Sequence, residues 1–225
     1  LGFNSGARLF MDVDDPQVVN SRQEFDPIDN FLWASQRFAI SYNQGETFKP
    51  GSHMTDYLSR EAVSAIEANA NRPFFMFLSY NAPHTPLQAE KSDYDALSHI
   101  EDHTERTYAA MLRGLDRGIG QVLAALEENG LEENTIVIFT SDHGYHLGEH
   151  DFWAKVSLRD ESAGVPLIIS IPGKKPAVCD SLVELLDLYP TVSKLCGLPV
   201  EQRLQGKDIS AMLDDPTIEV RDAAF

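Results

Sequence analysis

Three short, unbroken apolar runs constrain the fold of this 225-residue sequence more than any other feature. They occupy residues 74–80, 135–140 and 165–171, and their length and composition are typical of strands buried on both faces. Amphipathic helical patterns precede the first two runs. Because buried strands that alternate with helices pair side by side, the sequence predicts an α/β fold with a mostly parallel sheet flanked by helices.

The helical patterns have recognisable ends. Thr55 is a good N-cap for a helix that ends near Asn71. The longest pattern runs from 104 to 129, and Gly130 supplies its stop. A last helix is predicted over residues 187–197. Three glycines inside the longest pattern predict close backbone packing: Gly114, Gly118 and Gly120.

The residues before the first helix differ from the rest of the chain. Residues 1–54 are polar, with scattered aromatic side chains and no sustained period. We interpret them as a loop-rich segment at the edge of the main domain, which we place at residues 55–225. Cys179 and Cys196 are too few for a disulfide framework, and whether they pair is left open.

Composition excludes two classes of partner. The chain has 35 acidic and 18 basic side chains, a net charge of −17, so it does not bind nucleic acid through general electrostatics. Its apolar runs fall far short of the about 20 residues that a membrane-spanning helix needs. We therefore expect neither a nucleic-acid partner nor a membrane span.

Polar residues follow two of the predicted strands, where ligands gather in sheets of this kind. His84 lies in a proline-rich segment after the first strand, and Asp142 and His143 come directly after the second. Asp142 and His143 can face one cavity only if the chain turns at once, which Gly144 permits. A carboxylate beside an imidazole can bind a metal. A hydrogen bond between the two side chains, capping the strand end, is the alternative.

The loop after Gly144 is dense in polar and aromatic groups, which is typical of loops that line a site. These groups are Tyr145, His146, Glu149, His150 and Trp153. A zinc site made by His143, His146 and His150 is an alternative. Their spacing, however, matches neither a metalloprotease helix nor a zinc finger, and Gly148 interrupts any helix.

A set of short motifs stands in a fixed order along the chain. Around the second and third runs they are Ser141-Asp142-His143-Gly144, Leu147-Gly148-Glu149-His150, Trp153-Ala154-Lys155 and Val165-Pro166-Leu167-Ile168. Others lie at residues 73–75, 80–87, 187–191 and 197–198. Together they resemble the type I sulfatases of the alkaline-phosphatase-like superfamily. The resemblance covers roughly residues 55–225 and implies an incomplete alkaline-phosphatase-like core, a partial catalytic domain.

The resemblance implies a role for four residues. Asp142 and His143 match two ligands of the active-site Ca²⁺, for which Mg²⁺ is a possible substitute. Lys155 matches a lysine that holds a sulfate oxygen, and His84 matches a histidine that binds sulfate and protonates the leaving oxygen. An ordinary solvated lysine and a cap of the proline-rich turn are the respective alternatives for Lys155 and His84.

The surrounding loop is expected to contact substrate. The residues predicted to do so are His146, Glu149, His150 and Trp153. Trp153 can instead be an ordinary core residue. A sulfate monoester spreads negative charge as it breaks, and a metal, an ammonium and an imidazolium stabilise that charge.

Part of the family pattern is missing. The nucleophile of the family is a formylglycine made from a Cys-x-Pro-Ser-Arg motif, which neither Cys179 nor Cys196 matches. Asp14 and Asp15 are a tempting first metal pair, but no buried strand precedes them and they lie too close to Asp142 in sequence. The Lys-x-His of the family is also missing. We expect these parts in a missing N-terminal region, and we expect the 225-residue chain alone to be inactive.

The resemblance predicts a sulfuric ester hydrolase that removes sulfate from a sulfated carbohydrate, such as a glycosaminoglycan, or from an aryl sulfate. Residues 73–142 look like arylsulfatases that act on N-acetylgalactosamine 4-sulfate, and residues 142–200 look like iduronate 2-sulfatase. A phosphonate or phosphate ester hydrolase of the same superfamily is one alternative. A non-catalytic, truncated or degenerate homologue is another. The family implies a periplasmic, secreted or lysosomal location.

Overall fold

The computed structural model describes residues 3–4, 10–12, 14–21 and 38–224. The chain divides into two compact units, residues 1–132 and 133–225. The helices are α1 Met54–Asn69, α2 Lys91–Ala96, α3 His103–Glu128, α4 Asp160–Ala163 and α5 Leu188–Leu195. The strands are β1 Phe3–Asn4, β2 Val18–Ser21, β3 Ile40–Tyr42, β4 Thr47–Phe48, β5 Leu87–Glu90, β6 Val137–Thr140, β7 His146–Leu147, β8 Trp153–Ala154 and β9 Leu167–Ser170. Short 3₁₀ turns lie at Glu132–Asn134, Glu149–Asp151, Leu185–Asp187 and Ser210–Leu213.

The first unit is built around an apolar core. Strand β5 pairs antiparallel with β2, and β3 pairs with both β1 and β4. The buried side chains of the core come from α1, α3, β3, β5 and the segments beside them: Phe10, Phe38, Ile40, Met54, Leu58, Ala82, Leu87, Ala89, Ala110, Met111 and Leu115. Part of the segment before residue 54 therefore belongs to this core. The domain boundary at residue 54 stays a prediction.

Both long helices form where the sequence predicts them. Helix α1 begins two residues earlier than expected, because the His53 side chain, and not Thr55, is its N-cap and accepts a hydrogen bond from the Thr55 amide. Asp102 caps α3 by accepting from two backbone amides. Gly130 follows α3 with a φ of 65°, which confirms it as the stop.

The glycines of α3 have different surroundings. A Cβ on Gly118 would lie 2.3 Å from Ser59 Oγ of α1, and one on Gly114 would lie 3.3 Å from Asp93 Oδ2. The predicted close packing is confirmed at these two positions. Among the described residues, nothing lies within 4 Å of a Cβ on Gly120, so the prediction is wrong there.

The first apolar run is extended but is not a strand of a sheet. Leu78 and Tyr80 pack against the core, whereas Phe75 and Phe77 are 80% and 81% exposed. The prediction of a strand buried on both faces is wrong for this run. Within the described residues no strand pairs with it, so the core covers only alternate side chains.

The second unit contains the other two runs, which form β6 and β9. They pair antiparallel, with Val137 opposite Ser170 and Thr140 opposite Leu167. Phe139 is 38% exposed, so these strands are less buried than predicted.

The described strand pairs are all antiparallel, which differs from the mostly parallel sheet predicted. A parallel pair needs a crossover, usually a helix. The connection between β6 and β9 instead contains a small hairpin and α4, which has only four residues.

Helix α5 confirms the predicted last helix, and Gly197 follows it with a φ of 68°. The buried Asp187 lies just before the helix and accepts hydrogen bonds from the backbone amides of Glu184 and Lys207. Its carboxylate also pairs with Arg221, which pairs in turn with Glu184. A buried ion pair with several backbone bonds thus holds the last part of the described chain.

Two smaller findings concern the whole described chain. Cys179 and Cys196 are exposed and do not pair. The helices within residues 38–224 and the other described ranges are each too short or too polar to span a bilayer.

Candidate functional site

The turn after β6 carries the predicted metal pair. Ser141 Oγ donates to the His143 carbonyl oxygen over 2.9 Å and so holds the turn. His143 Nδ1 lies 2.7 Å from the Gly144 carbonyl oxygen, to which it donates its proton. In the neutral ring Nε2 is then unprotonated, and it lies 3.4 Å from Asp142 Oδ2. The Asp142 side chain is 82% exposed.

This pair places two electron-pair donors side by side. A histidine whose second nitrogen is bound to a backbone carbonyl has the orientation of many metal-ligating histidines. The donor chemistry of Asp142 and His143 therefore fits two positions in the shell of a cation. A proton shared between the same two atoms gives the strand-capping hydrogen bond, which stays an alternative.

The structure does not support the zinc cluster. In the described ranges no group of three or more histidine, cysteine or acidic side chains is arranged to hold a metal ion. His146 and His150 have ring centroids 6.2 Å apart, and the Nε2 atom of each has another neighbour, Ser157 Oγ and Glu161 Oε1 respectively.

Gly144 is required for a reason that the sequence did not indicate. Its φ is outside the left-handed region, but a Cβ there would lie 2.0 Å from the Glu161 carbonyl oxygen and 2.7 Å from that of Gly164. Its amide also donates to the Ser162 carbonyl oxygen over 2.9 Å. The metal-pair turn is thus packed directly against α4, and only glycine fits.

The polar loop is a small hairpin. In the β7–β8 pair, His146 lies opposite Ala154 and Leu147 opposite Trp153. Three non-glycine residues of the hairpin have positive φ: His150 at 61°, Asp151 at 57° and Ala154 at 77°. Backbone in this region persists only where the surrounding contacts fix it, and it is frequent at functional sites.

Lys155 directly follows the hairpin. Its carbonyl oxygen accepts a hydrogen bond from the Ser157 amide over 2.9 Å, which closes a tight turn around Val156. The lysine is half-buried, in contrast to Val156, which is 86% exposed. Lys155 is therefore held at its backbone.

His146 is fully buried, with 0% exposure. Its Nε2 lies 2.9 Å from Ser157 Oγ, and its ring packs edge-on against Phe152 with a centroid distance of 5.0 Å. This burial is at odds with the substrate contact predicted for His146. Its surroundings are protein on every side.

The other predicted wall residues lie nearer the surface. The Leu147 amide donates to the Glu149 carboxylate over 2.6 Å, and this bond together with the amide of Glu149 lowers the pKa of that carboxyl. His150 Nε2 lies 3.2 Å from Glu161 Oε1. A hydrogen bond from the Glu161 amide is the largest effect that lowers the pKa of the Glu161 carboxyl, and the hydrogen bond to His150 lowers this pKa further. Trp153 lies over Gly148, whose Cβ would be 3.6 Å from the indole nitrogen.

His84 lies in the first unit, on the proline-rich turn, where it is exposed. Its Nδ1 donates to the Thr85 carbonyl oxygen over 2.6 Å, and its amide donates to the Asn81 carbonyl oxygen over 2.9 Å. The bond from Nδ1 leaves Nε2 as the unprotonated nitrogen of the neutral ring. His84 thus takes part in the turn, as its alternative interpretation requires.

The second unit brings the metal pair and the hairpin together through residues that sequence reasoning missed. These are Ser157, Glu161 and Ser162, which bind His146, His150 and Gly144 respectively. Ser157 stands three residues before Asp160, a spacing typical of a helix start. That signal would have indicated the start of α4 and not the contact with His146.

Comparison with known proteins defines the class. The chain is 32% identical over 191 residues to an endo-4-O-sulfatase of Bacteroides thetaiotaomicron, covering 72% of this chain and 38% of that protein. It is 32% identical over 183 residues to iduronate 2-sulfatase of Mus musculus, covering 70% of this chain and 32% of that protein. The crystal structure of Ps i-CgsB in complex with k-i-k-neocarrahexaose matches with a TM-score of 0.73 and 35% identity, over 79% of this chain and 42% of the other.

These similar proteins are sulfatases with an alkaline-phosphatase-like fold, and the predicted fold class is confirmed at that level. The sulfatase family model matches residues 7–198. The chain belongs to the sulfatase family. It spans only 32–42% of the length of these three relatives.

Proposed function

We propose that the protein hydrolyses sulfate monoesters, with Asp142 and His143 at the metal, and Lys155 and His84 at the sulfate. Membership of the sulfatase family supports the reaction class. The observation that carries the proposal is the arrangement after β6: His143 Nδ1 is bound to a backbone carbonyl, and its Nε2 lies 3.4 Å from the exposed Asp142 carboxylate.

The metal in this proposal is Ca²⁺, with Mg²⁺ as the alternative. A hard dication prefers oxygen ligands, and Asp142 supplies one. His143 is a softer ligand, so the remaining ligands have to be mainly oxygen atoms from outside the described residues. When bound, the ion would polarise the ester and stabilise the charge on its oxygens.

Lys155 and His84 supply the two charges that this reaction needs from side chains. The Lys155 ammonium would hold a sulfate oxygen as negative charge spreads over the group. As the bond between sulfur and the leaving oxygen breaks, His84 Nε2 would donate its proton to that oxygen. The nucleophile in this proposal is the formylglycine of the family, which has no precursor motif within these 225 residues.

A sulfated carbohydrate is the favoured substrate. Iduronate 2-sulfatase is named for a sugar acid, and one similar structure is a complex with a neocarrahexaose. A net charge of −17 repels sulfated ligands at long range, so attraction has to be local, at Lys155, His84 and the metal. Small aryl sulfates are the convenient probe.

Metal analysis of the purified full-length protein tests the proposal. We expect one Ca²⁺ per chain in the wild type, loss of that ion in Asp142→Ala, and retention in Asp151→Ala, an exposed carboxylate of the hairpin. Hydrolysis of 4-nitrophenyl sulfate should be lost together with the ion in Asp142→Ala.

Three outcomes would contradict the proposal in different ways. Zinc that survives Asp142→Ala but is lost in His146→Ala or His150→Ala would favour the histidine cluster. Hydrolysis of a phenylphosphonate ester in preference to the sulfate would favour a phosphonate hydrolase. A protein that binds the ion but hydrolyses neither ester would be a non-catalytic homologue.

A further inference from the structure

One buried residue, His146, contacts the chain on both sides of Lys155. Its backbone pairs with Ala154, the residue before the lysine. Its side chain binds Ser157, two residues after the lysine, with 2.9 Å between Nε2 and Oγ. A single residue thus fixes the position of the four-residue segment 154–157 at both ends.

The same contact continues towards the metal pair. Ser157 Oγ donates to Ser162 Oγ over 3.2 Å and accepts from the Arg159 amide over 3.1 Å. The Ser162 carbonyl oxygen accepts from the Gly144 amide over 2.9 Å, next to His143. A short series of hydrogen bonds therefore connects the backbone at Lys155 with the turn that carries the metal pair.

The protonation of His146 follows from these partners. Ser157 has one hydroxyl proton, which goes to Ser162, so His146 donates from Nε2 and its Nδ1 is an acceptor. Among the described residues, Nδ1 is buried and has no hydrogen-bond partner. A phenylalanine would fill a similar volume against Phe152 without this unpaired nitrogen. The stabilising contact that the imidazole makes and a phenylalanine would lack is the hydrogen bond to Ser157.

The backbone before Lys155 needs such support. Ala154 has a φ of 77°, a conformation that L-residues adopt only when other contacts hold them there. Pairing with His146 supplies that contact. Without this pairing, the backbone before Lys155 would lose the contact that stabilises its positive φ.

We propose that His146 is a positioning residue for Lys155. It orients the lysine by fixing segment 154–157 from the buried side, and it does not contact the substrate. The sulfate-holding role of Lys155 rests on the proposed function, whereas the positioning of the segment does not. The test therefore measures the two separately.

The first measurement is backbone hydrogen exchange in the full-length protein, followed by mass spectrometry. His146→Phe keeps the volume and removes the bond, and Ser157→Ala removes the same bond from the other side. In both variants we expect amides of residues 153–159 to exchange at least about 10-fold faster, with β6 unchanged. Val156→Ala, at an exposed site between Lys155 and Ser157, is the matched control and should leave exchange unchanged.

The second measurement is the kinetics of 4-nitrophenyl sulfate hydrolysis. A misplaced lysine should lower kcat/KM of His146→Phe by about 10- to 100-fold, mainly through kcat. His146→Gln, whose amide can donate to Ser157, should recover most of the loss. In a Lys155→Ala background, His146→Phe should have no further effect, because it acts through the lysine.

The outcomes separate this proposal from the proposed function. Unchanged exchange in His146→Phe and Ser157→Ala overturns the positioning role, whatever the activity. The same fractional loss of kcat/KM with and without Lys155 also overturns it, since His146 would then act independently. Faster exchange in a protein that hydrolyses no sulfate ester supports the positioning of the segment and contradicts the sulfatase proposal alone.

Discussion

The two units of the chain differ in how much apolar side chain they bury, although both also bury polar side chains, such as Gln88 of the first unit at 0% exposure. In the first unit, Ile40 and Leu87 are 0% exposed and Met111 is 2% exposed, and they pack into one apolar cluster. In the second unit, the buried apolar side chains among the described residues are Pro190, Ile209 and Met212. Its most deeply buried side chains include polar and charged ones at 0% exposure: His146, Asp187 and Thr191.

The first unit contains most of the apolar core, and the second unit contains most of the proposed site residues. Apolar packing tolerates substitutions that conserve side-chain volume, because many small contacts share the stabilisation. A buried polar network depends on each bond, since a lost partner leaves another polar group unpaired. We therefore expect substitutions in the apolar core of the first unit to change stability alone, and substitutions in the second unit to act on single contacts and on the site.

The largest effect is expected at Asp187. Asp187→Ala leaves Arg221 paired with Glu184 alone and removes the acceptor of two backbone amides. Breaking a buried ion pair in this way costs about 3–5 kcal/mol of unfolding free energy. Urea unfolding followed by fluorescence checks it, in a Trp33→Phe background that leaves Trp153 of the second unit as the remaining tryptophan of two.

An exposed pair in the same unit is the control. Asp214→Ala breaks the pair with Lys174, where the Asp214 side chain is 70% exposed, and should cost less than about 1 kcal/mol. Equal costs for Asp187→Ala and Asp214→Ala would show that buried polar contacts do not stabilise the second unit.

The next effect concerns activity and not stability. In the full-length protein, Lys155→Ala should lower kcat/KM for 4-nitrophenyl sulfate by at least about 100-fold, as expected for one lost charge contact in the transition state. The unfolding midpoint should change little, since the lysine is only half-buried. Lys174→Ala, an exposed lysine of the same unit, should keep wild-type kinetics. Wild-type kinetics in Lys155→Ala as well would remove Lys155 from the site.

In the first unit, matched glycine variants test packing. The Cβ of Gly118→Ala would lie 2.3 Å from Ser59 Oγ, which donates to the Thr55 carbonyl oxygen and accepts from the Tyr80 hydroxyl. We expect a loss of about 1–3 kcal/mol. Gly120→Ala meets open space in the same helix and should stabilise by up to about 1 kcal/mol. Thermal unfolding and the kcat/KM of both variants check that stability alone changes.

The same comparison explains what the sequence could predict. Helices α1, α3 and α5 form at the predicted places because periodicity and caps act within a few residues. The burial of the apolar run at residues 74–80 was predicted wrongly, because burial depends on partners far away in sequence. Phe75 and Phe77 have no such cover within the described residues.

The site residues also divide into those whose position follows from a local sequence pattern and those whose position depends on distant partners. The position of Asp142 and His143 directly after β6 followed from a local strand signal. The burial of His146 did not, because a histidine in a polar loop has no pattern that distinguishes an inward from an outward side chain. Its partner Ser157 is 11 residues away. The roles of His84, Lys155, Asp142 and His143 stay predictions that the experiments above address.

The smallest effect is expected from a carboxylate cluster in the first unit. Glu90 Oε2 lies 3.5 Å from Arg117 Nη2, and Asp56 and Asp93 pair with the same guanidinium. Burial and the neighbouring Asp56 raise the pKa of Glu90 from 4.5 to about 7, although Arg117 opposes the shift. The folded state therefore binds a proton more tightly than the unfolded state between these two values. Stability should fall as the pH rises through that window.

Glu90→Gln should remove this decline. The variant should match the wild type near pH 4 and be more stable above pH 7 by about 1 kcal/mol, since the side chain is only half-buried and solvent screens part of the effect. Urea midpoints from pH 4 to pH 8, with hydrogen exchange in α3 as the local probe, measure the difference. Glu67→Gln, at an exposed position of α1, is the control and should follow the wild-type pH dependence. If the gain in Glu90→Gln is the same at every pH, the amide stabilises by packing and the carboxylate is not the titrating group. The first unit would then be as independent of single charges as its apolar core suggests.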